Sequence, residues 1–304
     1  MPEHKQWTGR TGGTPWMQRS LIAIMRRVGV RPLYAVMAFV VPFYMLFSRR
    51  SFRAIYSYYR NIWHQSLLKS LLQVYANHYA FGQIIIDRFA RYAGRQFEIS
   101  ITNNEAFNRI ATQDGGAFIL GSHTGNFEFC GYCLHSTSKR LNALVFGGET
   151  ATVMANRAQM WQRNNIRMIP VADDLSHLFT IHNAIEAGEI VCLTADRVFG
   201  SPKTIRRSFL GQPAAFPVGP FATAQCLHVP VLAIFVMKTG WNAYHVDVND
   251  LSLTEAECRT LKRREQIERL ADKYVAALEK NVRRFPAQWF NYYDFWETEK
   301  NTPS

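Results

Sequence analysis

His123 and Glu128 are the two residues of this chain whose types and spacing best suit proton transfer. They bound the stretch His123-Thr124-Gly125-Asn126-Phe127-Glu128, directly behind the apolar run Ala117-Phe118-Ile119-Leu120-Gly121. An imidazole can take the proton of a hydroxyl or amine on a second molecule. A carboxylate can fix the imidazole's tautomer and stabilise the imidazolium that forms. On a continuous helix five residues turn through about 140°, so the two side chains would diverge. The pairing therefore requires His123 in a loop just before a helix and Glu128 one turn inside it. Gly121 and Gly125 suit such a tight strand-to-helix turn. A His followed by a Glu is also common by chance, and such a pair can be solvated or structural. Gly121-Ser122-His123-Thr124-Gly125 has the outline of a nucleophile elbow, but its centre holds His rather than Ser, so the nucleophile is expected from a substrate.

The elements that must position these residues are legible from about residue 97 onward. Short apolar runs predict strands at Phe97–Ile101, Ala117–Leu120, Asn142–Phe146, Arg167–Val171, Ile190–Ala195, Val229–Met237 and Tyr244–Val248. Amphipathic stretches between them predict helices over 103–112, 125–135, 150–164, 174–187 and 217–227, and a long helix over 254–284 striped by Leu261, Ile267, Leu270, Tyr274, Ala277, Leu278 and Val282. Such alternation predicts an α/β fold with a mixed, mainly parallel sheet flanked by helices. Open α/β sheets place ligands beyond the carboxyl ends of their strands. Three polar features occupy such ends: His123, Asp196-Arg197, and the turn Pro217-Val218-Gly219-Pro220. Taken alone, the second could be a plain ion pair and the third only a helix start.

Residues 1–95 read as an N-terminal helical, membrane-anchoring region and 96–304 as the α/β domain. The uncharged stretch Leu33–Phe47 lies between Arg26, Arg27 and Arg31 on one side and Arg49, Arg50 and Arg53 on the other. As a helix its residues span about 22 Å, short of the ~30 Å hydrocarbon core, and Pro42 interrupts it. The arginine flanks and the aromatics favour a helix, or a broken helical hairpin, dipping into one leaflet. A tilted single span and a buried core helix are the alternatives. Apolar positions recurring every three to four residues continue helix over 50–92.

The chain has 35 basic and 23 acidic residues, a net charge of +12, and 48% hydrophobic residues. That hydrophobic content excludes general disorder. The charge favours a polyanionic partner: nucleic acid, an anionic membrane surface or an acidic carrier protein. The basic residues are dispersed and no zinc-finger or RNA-recognition signature is present, which argues against nucleic acid. Five scattered cysteines argue against a disulfide framework, and Cys130-Gly131-Tyr132-Cys133 has no second pair at zinc-finger spacing. Residues 1–20 lack the apolar core of a cleavable signal.

Taken in order, these residues resemble the lipid A late acyltransferases and related lysophospholipid-acyltransferase-like enzymes. His123 and Glu128 fit the family's His-x-x-x-x-Asp/Glu motif. Leu193-Thr194-Ala195-Asp196-Arg197 is similar to its later strand and Asp-containing turn. Phe209-Leu210-Gly211-Gln212-Pro213-Ala214-Ala215-Phe216-Pro217-Val218-Gly219 is similar to its Phe-x-Gly-x-x-Ala-x-x-Pro-x-Gly block, and Pro286-Ala287-Gln288-Trp289 to its terminal segment. The ending Asn291-Tyr292-Tyr293-Asp294-Phe295-Trp296 departs from the usual basic patch. The start, with Trp7, Thr11-Gly12-Gly13 and Trp16, looks more like a branch linked to aryl polyenes and other unusual lipids.

The resemblance implies transfer of a fatty acyl group from an acyl carrier protein or acyl-CoA thioester to a hydroxyl of a membrane lipid, at the cytoplasmic face of a bacterial inner membrane. It implies His123 as general base, Glu128 as the group that orients it, backbone N–H groups near the helix start at Gly125 for the oxyanion, and Asn126 among the substrate-binding residues. Arg157 and Arg163 are candidates to assist, and Asp196, Arg197 and Gly219 to position substrate. No metal or organic cofactor is implied, because the thioester carries the activation. A thioesterase that uses water as acceptor, a catalytically inert membrane scaffold and a basic nucleic-acid-binding protein are the competing readings.

Overall fold

Apolar runs become central strands when helices cover both sheet faces. The computed structural model describes residues 15–133, 139–146, 161, 165–171, 174–198 and 203–296. Its sheet contains β1 (Glu98–Thr102), β2 (Ala117–Gly121), β3 (Leu141–Phe146), β4 (Ile166–Val171), β5 (Ile190–Thr194), β8 (Val231–Lys238) and β9 (Ala243–Asp250). The order is β1-β9-β8-β2-β5-β3-β4. Only the β8–β9 pairing is antiparallel, so the mixed, mainly parallel sheet is as the alternation predicts. Every residue of β2 is buried. Its side chains alternate between two cores, Phe118 and Leu120 packing with Val191, Leu193 and Phe235 on one face, Ala117 and Ile119 with Ile190, Cys192 and Ile234 on the other.

Among the described residues, α5 (Asn104–Thr112), α6 (Cys130–Cys133), α7 (Ser176–Glu186), α8 (Gly219–Leu227) and α9 (Glu255–Thr260) follow the first strand, and α10 (Arg263–Arg284) closes one face. The stretch expected as one helix over 254–284 is therefore two. Leu261 and Lys262 are extended, and Glu265 reaches back to accept the Lys262 backbone N–H at 2.7 Å, a fresh N-terminal cap. The expected helix over 150–164 falls, apart from Trp161, outside the described residues.

The sequence reading missed a hairpin of β6 (Thr204–Phe209) and β7 (Gln212–Pro217). Its two-residue turn has both Leu210 and Gly211 at positive φ, the twist that joins antiparallel strands tightly. Pro213 and Pro217 concealed β7; a two-stranded ribbon has free edges that tolerate them. Phe209 and Phe216 anchor the ribbon in the core against Trp289 and Tyr274.

The N-terminal region forms α1 (Pro15–Val28), α2 (Arg31–Phe47), α3 (Arg49–Ser57), a π-helical turn over Tyr58–Ile62, and α4 (Leu67–Tyr92). α2 packs along α4 through a buried side that includes Tyr34 and Val41. Its other side leaves Val36, Phe39, Phe43, Leu46 and Phe47 exposed. No single described helix is long and apolar enough to cross a membrane; α2 together with Arg49–Ile62, bent by 96°, passes that test by length and composition as a pair. Ile55, Tyr58, Tyr59 and Val74 of this region share the core of the sheet.

Candidate active site

β2 and β5 are parallel neighbours in which Gly121 pairs with Thr194. His123 and Asp196 each lie two residues beyond that pair, so both chains leave the sheet side by side. The His123 Nδ1 lies 2.8 Å from Asp196 Oδ1, and the His123 backbone N–H donates to Oδ2 at 2.9 Å. Trp289 Nε1 approaches the same Oδ2 at 3.4 Å. Asp196 is sealed from solvent at 1% side-chain exposure, whereas 33% of the imidazole side chain is open.

Burial works to raise the Asp196 pKa, but the attraction and hydrogen bonds of His123, with the charge of Arg197, outweigh it and hold the carboxyl below its ordinary value. An ionised carboxylate only accepts, so Nδ1 carries the imidazole proton and Nε2 keeps the lone pair. Burial first, then the charges of Arg197 and Arg88, lower the His123 pKa against the opposing pull of Asp196. The imidazole is thus neutral near pH 7, as a general base must be.

Glu128 does not orient His123. Its carboxylate turns to α4, where it pairs with Arg88 Nη1 at 3.1 Å and accepts from Tyr92 Oη at 3.3 Å. The physical reason is the conformation of the loop. A helix starting near Gly125 would put Glu128 one turn in, but the backbone is pinned in a non-helical conformation until a 3₁₀ turn at Phe127–Phe129. Thr124 bridges Trp289 as a short antiparallel contact. The Gly125 N–H donates to Gln288 O at 2.8 Å, the Asn126 N–H to Val236 O at 2.7 Å, and the Phe290 N–H to His123 O at 2.9 Å. Gly125 is indispensable there: its φ is +51°, and a Cβ would stand 2.0 Å from Val236 O. The N–H groups expected to receive an oxyanion are therefore already engaged by backbone carbonyls.

The other expected residues are dispersed. Asn126 is fully buried; its amide lies 3.4 Å from Arg88 Nε and 3.5 Å from Tyr244 Oη, a tie within the loop rather than a surface for substrate. Arg197 is brought to the site, its Nη2 donating to Phe290 O at 2.8 Å. Gly219 is exposed at the start of α8, and no hydrogen bond among the described residues joins it to the His123–Asp196 pair. Arg157 and Arg163 lie outside the described residues. Sequence reasoning missed Arg88 and Tyr92, 40 and 36 residues before Glu128, which carry no local signal. It also gave no role to Gln288 and Trp289, although the Pro286-Ala287-Gln288-Trp289 block was the available sign.

Beside Glu128 lies an apolar hollow lined by Phe127, Cys130, Gly131, Leu141, Ala143, Trp161, Ile166 and Cys192, with about 30 Å³ of free space. That is room for about one water. Cys192 is an inert wall, burial pushing its thiol up to about 12. Among the described residues, no group of three or more His, Cys, Asp or Glu could hold a metal ion.

The profile of the family described as bacterial lipid A biosynthesis acyltransferase matches residues 74–298. No curated protein matches the sequence. Among solved structures, the chain is similar to the 1-acyl-sn-glycerophosphate (LPA) acyltransferase PlsC from Thermotoga maritima, with 12% identity over 91% of this chain and 99% of that one and a TM-score of 0.40.

Proposed function

The chain belongs to the bacterial lipid A biosynthesis acyltransferase family, and from that premise we propose that it moves a fatty acyl group from a carrier-protein or coenzyme A thioester to a hydroxyl of a membrane lipid. The observation that carries the reading is the His123–Asp196 pair at the carboxyl ends of two central parallel strands, with Nε2 left as the base. Nε2 takes the acceptor's proton as its oxygen attacks the thioester carbonyl. The tetrahedral intermediate then expels the sulfur, which recovers the proton from the imidazolium; an ester and a free thiol result. Asp196 holds the tautomer and balances the imidazolium. The charges of Arg197 and of Arg88, the latter itself paired with Glu128, lower the imidazole's pKa and so help to keep Nε2 unprotonated.

The exposed apolar side of α2 and the arginines at both of its ends support a helical hairpin resting in one leaflet, Phe39 and Phe47 deepest and Arg49, Arg50 and Arg53 at the headgroups. The net charge of +12 suits an acidic carrier protein and the cytoplasmic face of a bacterial inner membrane.

Comparative lipid mass spectrometry of cells with and without the protein tests the reading, followed by purified chain given each thioester and the affected lipid. The expected product is that lipid with one added acyl chain. Free fatty acid as the sole product would replace the transferase with a thioesterase. Wild-type turnover by His123→Ala would remove the proposed base.

A further inference from the structure

The segment Pro286 to Phe290 forms a strap behind the His123–Asp196 pair. It opens as a single 3₁₀ turn, Pro286–Gln288, and continues extended at Trp289. It grips both arms of the site. Gln288 O accepts the Gly125 N–H, Trp289 bridges Thr124, and the Phe290 N–H donates to His123 O at 2.9 Å. On the other arm, Trp289 Nε1 reaches Asp196 and Phe290 O accepts from Arg197. The Trp289 ring has no room to absorb a shift, because the rings of Tyr58, Phe209 and Phe295 stand 5.3, 5.4 and 5.0 Å from it, centre to centre.

A strap outside regular helix and sheet has carbonyls that need donors from elsewhere. Each carbonyl from Pro286 to Phe290 finds one. Pro286 O accepts from Tyr59 Oη at 3.1 Å, in the π-helical turn. Ala287 O and Trp289 O accept from Asn77 Nδ2, in α4, at 3.1 and 3.0 Å. Gln288 O takes the Gly125 N–H, and Phe290 O the Arg197 guanidinium. A side-chain amide has two N–H donors, and Asn77 spends both on the carbonyls that flank Gln288. Asn77 is sealed from solvent, and its own oxygen meets no donor among the described residues. A buried unpaired acceptor is destabilising, so whatever this amide gains from hydrogen bonding it gains from the strap.

We propose that Asn77 is a positioning residue for the acyl transfer: from α4 it clamps the strap on both sides of Gln288, and the strap in turn holds His123 against Asp196. Tyr59 is its lesser partner, fixing the strap's first carbonyl. The inference rests on His123 being the base and names what keeps that base in place. Without the clamp, two carbonyls turn to seek other donors, and Gln288 O swings away from the Gly125 N–H. The loop carrying His123 then loses its register with Asp196. The N-terminal helices thereby form the back wall of the site, a task separate from any contact with lipid.

Three variants of the full chain test the proposal. Asn77→Leu removes the clamp and Tyr59→Phe a single hydroxyl. Ile110→Ala is the control for stability lost elsewhere: it is buried in α5, which has no hydrogen bond to the strap among the described residues. With thioester and acceptor lipid in detergent, kcat of Asn77→Leu should fall about 10²-fold, the cost of a misplaced base. That of Tyr59→Phe should fall about threefold to tenfold, the worth of one hydrogen bond. KM should hold in both, because neither side chain is placed on substrate. The acid limb of Asn77→Leu should move to higher pH, since an opened strap admits water to an imidazole whose burial lowers its pKa. NMR of nitrogen-labelled histidines follows the bond from His123 Nδ1 to Asp196 without any turnover. The His123 signal should move toward that of a free imidazole in Asn77→Leu and stay in place in Ile110→Ala. A kcat loss no greater than the control's, a change confined to KM, or an unaltered His123 signal in Asn77→Leu would overturn the proposal. If Asn77→Leu does not fold, Tyr59→Phe decides on the same readouts. His123→Ala keeps the two readings apart: wild-type turnover there removes the base, whereas the strap's hold on the imidazole is read by NMR whatever the chemistry.

Discussion

His123 and Asp196, 73 positions apart in the chain, stand 2.8 Å apart in space because each follows its strand by two residues in a parallel pair. The sheet register itself therefore builds the dyad, and Trp289 seals its buried end. Asp196→Asn keeps the shape but donates where it should accept, so it selects the wrong tautomer. Turnover is expected to fall by about 10⁴-fold, and that of His123→Ala by about 10²–10⁴-fold. Circular dichroism and single-turnover kinetics on both variants check this; near-normal turnover in Asp196→Asn would break the link between register and chemistry.

The pH profile should carry the sign of each neighbour. The neutral imidazole is the active form, so kcat/KM falls as pH drops through the His123 pKa. Burial and the two arginines lower that pKa from 6.5, placing the acid limb below pH 6.5. Replacing Arg88 or Arg197 by Gln removes a lowering charge and should move the limb to higher pH. Asp196→Asn removes the raising charge and should move the residual limb to lower pH. A limb that ignores all three substitutions would belong to another group.

Arg88 and Glu128 should act on the site as a coupled pair. Their 3.1 Å pair is partly buried, with Arg88 28% and Glu128 10% exposed. Single replacements by Gln are expected to be non-additive in kcat/KM, with a coupling of about 0.5–3 kcal/mol in the double-mutant cycle. Strict additivity would show that the ion pair does not act through the site.

Gly125→Ala combines a positive φ with a Cβ placed 2.0 Å from the Val236 carbonyl oxygen. Gly211→Ala shares the positive φ, +81°, but meets nothing within 4 Å. The second should lose about 1 kcal/mol from backbone strain alone. The first should lose clearly more and also lose activity, because the loop carrying His123 must move. Thermal melts of the two variants side by side test the comparison, and equal melting points would contradict it.

Lys238→Met leaves the buried Asp87 carboxylate with only the Tyr34 and Tyr244 hydroxyls as hydrogen-bond donors. The expected loss is about 3–5 kcal/mol in urea unfolding, and adding Asp87→Asn should recover part of it. These groups tie α2, α4, β8 and β9 together, so the same variant should loosen the anchor helix, read as faster amide exchange in α2.

Phe39 and Phe47 are 77% and 85% exposed. If that face enters lipid, Phe39→Ser with Phe47→Ser should reduce partition into anionic vesicles by at least about tenfold, each ring contributing about 1.5–3 kcal/mol of burial. The melting temperature should hold. Unchanged sedimentation with vesicles would place the membrane contact elsewhere.

Local patterns revealed much of the fold. Uninterrupted apolar runs such as Ala117–Gly121 declare buried central strands, and the strand–helix alternation declares the mainly parallel sheet. The hairpin at Thr204–Phe209 and Gln212–Pro217 escaped because prolines and paired arginines mask a ribbon whose apolar residues, Phe209 and Phe216, are few. His123, the proposed base, was visible as a polar residue at a strand end, while its partner, Asp196, was mistaken for the nearer carboxylate.

What the sequence determined by itself is the set of reactive groups and the strands they follow, since periodicity and residue type act within a few positions of the chain. Which carboxylate faces His123, where Glu128 turns, and that Gln288-Trp289 covers the loop were decided only by tertiary structure. The order β8-β2-β5 sets Asp196 beside His123, and the bridge from Thr124 to Trp289 holds the loop out of the helical conformation that would have carried Glu128 round. Those relationships depend on hydrogen bonds between segments far apart in the chain, whose partners no local spacing encodes.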